Sequence, residues 1–219
     1  EDRTRLMEQT AQFAQDYLAQ QSSRQGGVGP WMGDDGLESS SWIDKALLAH
    51  AFFLAEEWDA AHQLAAGEQV LGWSSSSNTQ GLAVSFFLVL LSGKRSGALS
   101  PNLSQVWQQG LENSTRLVYG NEGSALKRLE RAYADSLATA SLNRNQQERF
   151  LAWCLDVARR RVDAIVGGQH RGSYGKAAAL TAACAEVLRL RGQREEADIL
   201  LSDMRNRFPR HRNFQADLT

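Results

Sequence analysis

The chain has 219 residues, and its 24 Lys and Arg residues nearly balance its 25 Asp and Glu residues. A hydrophobic content of 42% with 22% charged residues is typical of a folded globular protein and argues against a mostly disordered chain. The net charge of −1 excludes a protein that attracts nucleic acid or anionic membrane through a strong overall field.

The charge is unevenly distributed along the chain. Residues 1–70 contain 4 basic and 12 acidic side chains, residues 71–150 contain 8 and 5, and residues 151–219 contain 12 and 8. The three segments therefore carry net charges of −8, +3 and +4. We expect a binding surface that is acidic near the N-terminal third and basic near the C-terminus, which would orient a partner of opposite gradient.

Hydrophobic periodicity predicts about nine helices and no strand. The first helix covers residues 1–21, and an irregular loop with five glycines and one proline follows over residues 22–40. Serines 39–41 are candidate caps for a helical hairpin that runs to Leu71. The apolar run Leu82–Leu91 predicts a helix buried on all sides, and it is too short to span a bilayer.

The second half of the chain continues the helical pattern. Ser100 and Pro101 are a start signal for a helix that ends near Gly120. A further helix is predicted over about residues 122–140, and Asn145 with Glu148 predicts a capping box at the start of the next one. The remaining predictions are a helix end at Gly167-Gly168, a helical hairpin over residues 173–211, and a tail over residues 212–219 that docks or frays.

The last hairpin resembles part of a tetratricopeptide repeat. In residues 178–211, Gly192 ends the first helix, Ala197 occupies a small position in the first turn of the second, and Pro209 closes the unit. Gly in the middle of the first helix, a feature of that family, is absent here.

Residues 42–71 resemble the same family, with Trp58 at an aromatic position and Ala61 at the small one. The family's regular period is not visible between residues 82 and 168. The resemblance implies stacked antiparallel helical hairpins, an α-α superhelix, whose curved surface binds a protein or peptide. We therefore predict a single all-α domain over residues 1–219.

The loop before the first hairpin contains an aromatic side chain and three carboxylates: Trp31, Asp34, Asp35 and Glu38. Oxygen ligands on a glycine-rich loop could hold a divalent cation or a polyol. The spacing matches no calcium-binding loop, and a solvated turn that caps the following helix is the simpler interpretation. We predict no metal and no cofactor.

Histidines and cysteines give no catalytic pattern. His50 and His62 lie on the two helices of one hairpin without a third zinc ligand, so we predict that His50 is a hydrogen-bonded core residue. Cys154 and Cys184 lie in apolar helical patterns, which predicts buried free thiols, a reducing compartment and hence a cytoplasmic protein. No nucleophile motif is present, and we predict that the chain is not an enzyme.

Basic residues cluster twice, at residues 159–161 and near the C-terminus. Arginines at helix ends interact favourably with the helix dipole. They would bind nucleic acid only if the two clusters converged on one face.

The prediction is a cofactor-free scaffold that binds another protein or peptide. We expect contacts at Trp31, Asp34, Asp35 and Glu38 at one end and at Arg205, Arg207 and Arg210 at the other. The alternatives are a nucleic-acid-binding helical domain that uses the C-terminal basic clusters, and a helical-toroid enzyme with the acidic loop at its mouth. Because the chain begins at Glu1 rather than Met, it is expected to be a processed form or a piece of a longer protein.

Overall fold

A computed structural model describes residues 37–72, 78–94, 98–119 and 123–218, and the side chains of residues 37–44, 116–119 and 123–125 lie outside that description. The described residues form nine α-helices and no β-strand, which confirms the all-α prediction. The predicted helix over residues 1–21 and most of the predicted loop lie outside the described residues. The helices are α1 Leu37–Leu54, α2 Trp58–Ala66, α3 Thr79–Ser92, α4 Pro101–Tyr119, α5 Gly123–Thr139, α6 Arg144–Val162, α7 Tyr174–Leu190, α8 Arg194–Arg207 and α9 Arg212–Asp217.

Helix α3 lies at the centre of the described fold, as its apolar sequence predicts. It packs against α1, α2, α4, α6 and α7, and its side chains are buried on every side. The Asn78 side chain caps its start by accepting a hydrogen bond from Gln80 N at 2.9 Å. Gly93, at φ +66°, ends it in the left-handed conformation that glycine adopts without strain. The helix begins at Thr79, three residues before the predicted apolar run Leu82–Leu91, and ends one residue after it.

Aromatic rings on α3 join several helices into one core. Phe87 stacks on Phe150 of α6 with ring centroids 4.2 Å apart. Phe86 stacks on Trp58 of α2 at 5.5 Å and contacts Tyr133 of α5 at 5.6 Å. A fully buried Phe side chain stabilises the fold by about 1.5–3 kcal/mol, so this cluster is a major source of the stability of the fold.

The C-terminal hairpin forms where it was predicted. Gly192, at φ +82°, ends the turn after α7, and Gln193 N donates to Leu188 O at 2.9 Å. Ala197 is fully buried where α8 packs on α7, which confirms the small residue at this close approach. The tail docks, because α9 packs on α7 and buries Phe214.

Two predicted boundaries of the N-terminal hairpin are wrong. Helix α1 begins at Leu37, so residues 37–40 are helical rather than loop, and the serines continue the helix instead of capping it. Helix α2 ends at Ala66 rather than at Leu71. Gly67 is the C-cap of α2. Beyond it, the buried Gln80 side chain accepts a hydrogen bond from Leu71 N at 3.2 Å, which ties this segment to the start of α3.

The predicted capping box on α6 is displaced by two residues. Asn143 Oδ1 accepts from Gln146 N at 2.9 Å, and Gln146 Oε1 accepts from Asn143 N at 3.2 Å. Asn145 is already inside the helix, and Glu148 pairs with Arg144 instead. Gln fills the reciprocal role as well as Glu because both side chains carry an acceptor oxygen.

Except for Ala46, the buried apolar residues of the described ranges form one contiguous cluster. Helices α6 and α8 both pack on α7, which itself also contacts α3, α4 and α9. None of the described helices is long and apolar enough to cross a bilayer.

Candidate functional site

The acidic half of the predicted contact surface falls outside the described structure. Trp31, Asp34 and Asp35 lie before the first described residue, and Glu38 lies in the first turn of α1 with its side chain outside the description. The predicted role of these four residues stays a prediction.

The predicted C-terminal arginines form mainly internal contacts. Arg205 Nη2 donates to Leu218 O at 3.2 Å, and Arg207 Nη2 donates to Asp163 Oδ1 at 2.5 Å. These contacts tie the end of α8 to α9 and to the π-helical turn Asp163–Gly167 that follows α6. Arg210 is exposed. Two of the three predicted contact residues therefore also make contacts within the chain, and the predicted role of all three in partner binding stays a prediction.

The other basic cluster, residues 159–161, lies at the same end of the molecule, because Asp163 is the partner of Arg207. Only Arg159 is exposed without an ion pair within the described residues. Arg160 pairs with Asp156 at 2.8 Å, and Arg161 is buried, which lowers its pKa to about 10 and leaves it protonated at neutral pH. The clusters converge, but much of their charge is paired or buried.

His50 is a hydrogen-bonded core residue, as predicted. It is 5% exposed, and its Nδ1 lies 2.7 Å from the hydroxyl oxygen of Tyr133 on α5. Burial lowers its pKa to about 4, so it is neutral at physiological pH. His62 packs instead among aromatic rings of α3 and α6, and no metal-binding group of three His, Cys, Asp or Glu residues occurs in the part of the chain that the structure describes.

A cleft between α6 and α8 is the candidate functional site. It encloses about 480 Å³ and crosses the C-terminal end of α7, on which both walls pack. We call it the α6–α8 cleft. Its apolar lining consists of Leu151, Ala152 and Leu155 on α6, Leu188 on α7, and Ile199 and Leu200 on α8.

The sequence of α8 explains why one edge of this cleft is apolar and exposed. Ala197, Leu200 and Met204 are buried and follow the helical spacing of a core stripe. Ile199 lies off that stripe and is 60% exposed, in contact with the cleft. The core does not need Ile199, which is the most exposed of the four large apolar side chains that the described residues leave at the surface.

Charged side chains form the rim of the cleft. Arg191 Nη1 donates to Gln147 Oε1 at 3.0 Å, but its buried Nε–H has no acceptor. Arg159 and Glu196 also line the cleft, and neither forms a hydrogen bond or ion pair within the described residues. Nine other buried side-chain atoms of the described residues likewise lack a partner, Nε of Arg160 and Nε of Arg161 among them, so this atom does not set the cleft apart.

The outer face of α8 is acidic around the same isoleucine. Glu195, Asp198 and Asp203 flank Ile199 there, together with Ser202. Arg189 Nη2 partly neutralises this face by donating to Asp198 Oδ1 at 2.8 Å. Ile199 thus lies between the cleft and an acidic outer face of α8. The charged lining of the cleft is balanced, with Glu148, Glu196, Arg159 and Arg191.

This cleft is not among the predicted sites, although the sequence contains one signal of it. Ile199 is an apolar residue off the helical stripe of Ala197, Leu200 and Met204, and this displacement can be read from residue spacing. On α6, the sequence does not distinguish residues that line the cleft from residues of the core, because Leu151 is buried in the core and also lines the cleft.

Comparison of the chain with known proteins identified no relative. No protein-family model matches the chain, and no curated protein or solved structure shows significant similarity to it.

Proposed function

We propose that the chain is a non-enzymatic helical scaffold of stacked antiparallel hairpins that binds a helix of another protein in the α6–α8 cleft. The observation that carries the proposal is the exposed Ile199 at the edge of a cleft with an apolar floor. A groove between two helices with apolar contacts inside and charges on its rim is typical of sites that bind amphipathic helices.

The dimensions of the cleft suit a short helix. Between Glu148 and Arg159 the lining of α6 extends about 16 Å, at a rise of roughly 1.5 Å per residue. That length corresponds to about three helical turns, and it presents successive i, i+4 and i+7 positions of a bound helix to the floor. A volume of about 480 Å³ is also within the range of small-molecule sites, so the length of the cleft, and not its volume, is what favours a helix.

The free-energy contribution of Ile199 can be estimated from its exposure. Full burial of an Ile side chain is worth about 1.5–3 kcal/mol, and burial of its exposed part on binding is therefore worth roughly 1–2 kcal/mol. Replacement by Glu would remove this contribution and would place another carboxylate beside Glu195 and Asp198. We expect at least tenfold weaker binding.

The nucleic-acid alternative has less support. Its two basic clusters share one end of the molecule, but Arg160 and Arg207 are paired with carboxylates and Arg161 is buried. The helical-toroid enzyme alternative depends on a loop outside the described residues. Neither alternative explains the exposed Ile199.

The test is site-specific photo-crosslinking followed by reconstitution. A photoreactive amino acid replaces Ile199, the crosslinked protein is identified, and the crosslinked peptide is mapped. The partner is then purified, and its affinity is measured for the wild-type chain and for Ile199→Glu. The proposal predicts a crosslink to a helical segment and an affinity loss of at least tenfold.

Val70→Glu is the matched control, because Val70 is also an exposed apolar residue, at 43%, and does not line the cleft. Its affinity for the partner should equal that of the wild type. Equal weakening by both substitutions, or no weakening by Ile199→Glu, would contradict the proposal. Binding that disappears with nuclease treatment and falls steeply with salt would favour the nucleic-acid alternative.

A further inference from the structure

Helix α5 buries little apolar surface for its length. Within residues 126–139, whose side chains the structure describes, Tyr133 is the one buried apolar residue and Ser136 is the one buried polar residue. The leucines at helical spacing from Tyr133 are only partly buried: Leu126, Leu129 and Leu137. Helix α7 also has 17 residues, and it buries 11 side chains. Because elements with few buried contacts open more easily than the core, we expect α5 to open at a lower free energy than α7.

Tyr133 anchors α5 to three other helices. Its ring lies edge-on against Trp107 of α4, with ring centroids 5.2 Å apart and planes at 89°. It also contacts Phe86 of α3 at 5.6 Å, and its hydroxyl oxygen lies 2.7 Å from Nδ1 of His50 on α1. Release of this one side chain therefore removes the fully buried apolar contact of the described part of α5.

The helices under α5 are packed on one another without its help. The main contacts of α5 are with α4 and α1, whereas α3 packs on both of those helices and also on α2, α6 and α7. Phe86 keeps its contacts with Phe53 at 4.4 Å and with Trp58 at 5.5 Å when Tyr133 leaves. Displacement of α5 therefore does not require the rest of the core to unfold.

We propose that α5 is a lid, which opens as one unit about its connection to α6, residues 140–143, while the other described helices stay folded. Tyr133 holds the lid closed, and opening uncovers Phe86, Trp107 and His50. A ligand that binds this uncovered aromatic surface would hold α5 open, since a ligand increases the population of the state that it binds. The inference does not depend on the α6–α8 cleft.

Native-state hydrogen exchange of the full chain in low concentrations of urea tests the lid. The amides of α5 should exchange at least about tenfold faster than those of α3 and α7, and they should share one free energy of opening. Their exchange should also depend less on urea, because opening of one helix exposes less surface than global unfolding. Exchange of α5 that matches α3 in rate and urea dependence would overturn the proposal. Protection that falls gradually towards one end of α5 would also overturn it, because that result indicates fraying.

Two substitutions separate opening of α5 from unfolding of the whole chain. Tyr133→Phe keeps the ring and removes the hydroxyl group that contacts His50, so it should speed the exchange of α5 by about fivefold to tenfold. Val187→Ala removes two methyl groups from a fully buried residue of α7. It should speed the exchange of α3 and α7 by at least about tenfold and leave that of α5 unchanged, because α7 is intact in the closed and open states. Acceleration of α5 by Val187→Ala would show that α5 opens only with the whole fold.

Tyr174→Phe is the matched control for Tyr133→Phe. Tyr174 is also a buried tyrosine, at 4% exposure, but it lies on α7 and its hydroxyl group has no hydrogen-bond partner within the described residues. Its replacement should leave the exchange of α5 unchanged. Equal effects of the two substitutions on α5, or no effect of Tyr133→Phe, would contradict the role of Tyr133 in holding the lid closed.

Discussion

Substitution of Gly110 by Ala tests a close crossing of α3 and α4. Gly110 lies in α4 at its crossing with α3, where a Cβ atom would be 2.2 Å from Ser85 Oγ and 3.1 Å from Gly81 O. Ser85 is 1% exposed, and its hydroxyl donates to Leu82 O at 2.8 Å. The Ser85 hydroxyl would have to rotate away from this bond, and the backbone of α3 would have to shift away from α4.

Two opposing effects determine the free energy of unfolding of Gly110→Ala. Helix propensity favours Ala over Gly by about 1 kcal/mol. Overpacking of a filled crossing costs about 1–3 kcal/mol, and disturbing the Ser85 hydrogen bond adds about 1 kcal/mol. We expect a net destabilisation of about 1–3 kcal/mol.

Urea unfolding monitored by circular dichroism measures this difference. The control is Gly175→Ala, because Gly175 is exposed in α7 and its added Cβ would meet only Asp217 Oδ2, at 3.7 Å. The control should be neutral or slightly stabilising, and adding Ser85→Ala to Gly110→Ala should recover about 1 kcal/mol. A Gly110→Ala protein as stable as the wild type would show that α3 and α4 are not in this close contact.

Two further predictions concern buried groups. Burial lowers the pKa of His50 from 6.5 to about 4, so its stabilising contribution is complete above pH 6.5 and is lost as the pH falls towards 4. The free energy of unfolding should fall by up to about 3 kcal/mol over this range, and His50→Gln should remove most of that slope in urea titrations. Burial also raises the pKa of the Cys154 and Cys184 thiols. A thiol-specific reagent should therefore react with neither until urea unfolds the chain, and rapid labelling of the native protein would contradict their burial.

The helices of this fold could be predicted from local sequence, because period and capping are local signals. The apolar run of α3 and the glycine at residue 192 predicted a buried helix and a turn, and both are present. The small residues Ala61 and Ala197 are buried, as expected where two helices approach closely.

The error at the end of α2 involves a tertiary contact. Helix α2 ends at Ala66 with Gly67 at its C-cap, and the segment that follows is tied to the Gln80 side chain on α3 rather than continuing the helix to Leu71. No periodicity within residues 58–71 reveals this contact. The capping error on α6 has a different cause, since Asn143 and Asn145 are both acceptable caps and only the structure distinguishes them.

The candidate site could not be predicted because it depends on how three helices pack. The arginines near the C-terminus are predicted contact residues because several basic residues cluster there. Two of them, Arg205 and Arg207, also make contacts within the chain. Arg159 and Arg191, 32 positions apart in the sequence, line the same cleft only because α6 and α8 both pack on α7. Local patterns contain no information about that arrangement.

Binding of a helix in the α6–α8 cleft is tested by a methyl NMR titration, in which the partner segment identified by crosslinking is added to the chain. The spectra report the methyl groups of Ile, Leu and Val residues separately. We predict that signals of Leu155, Leu188 and Ile199 change on binding, while those of the exposed Leu47 and Val70 do not. Changes at Leu47 or Val70 with an unaffected Ile199 would contradict binding in the α6–α8 cleft.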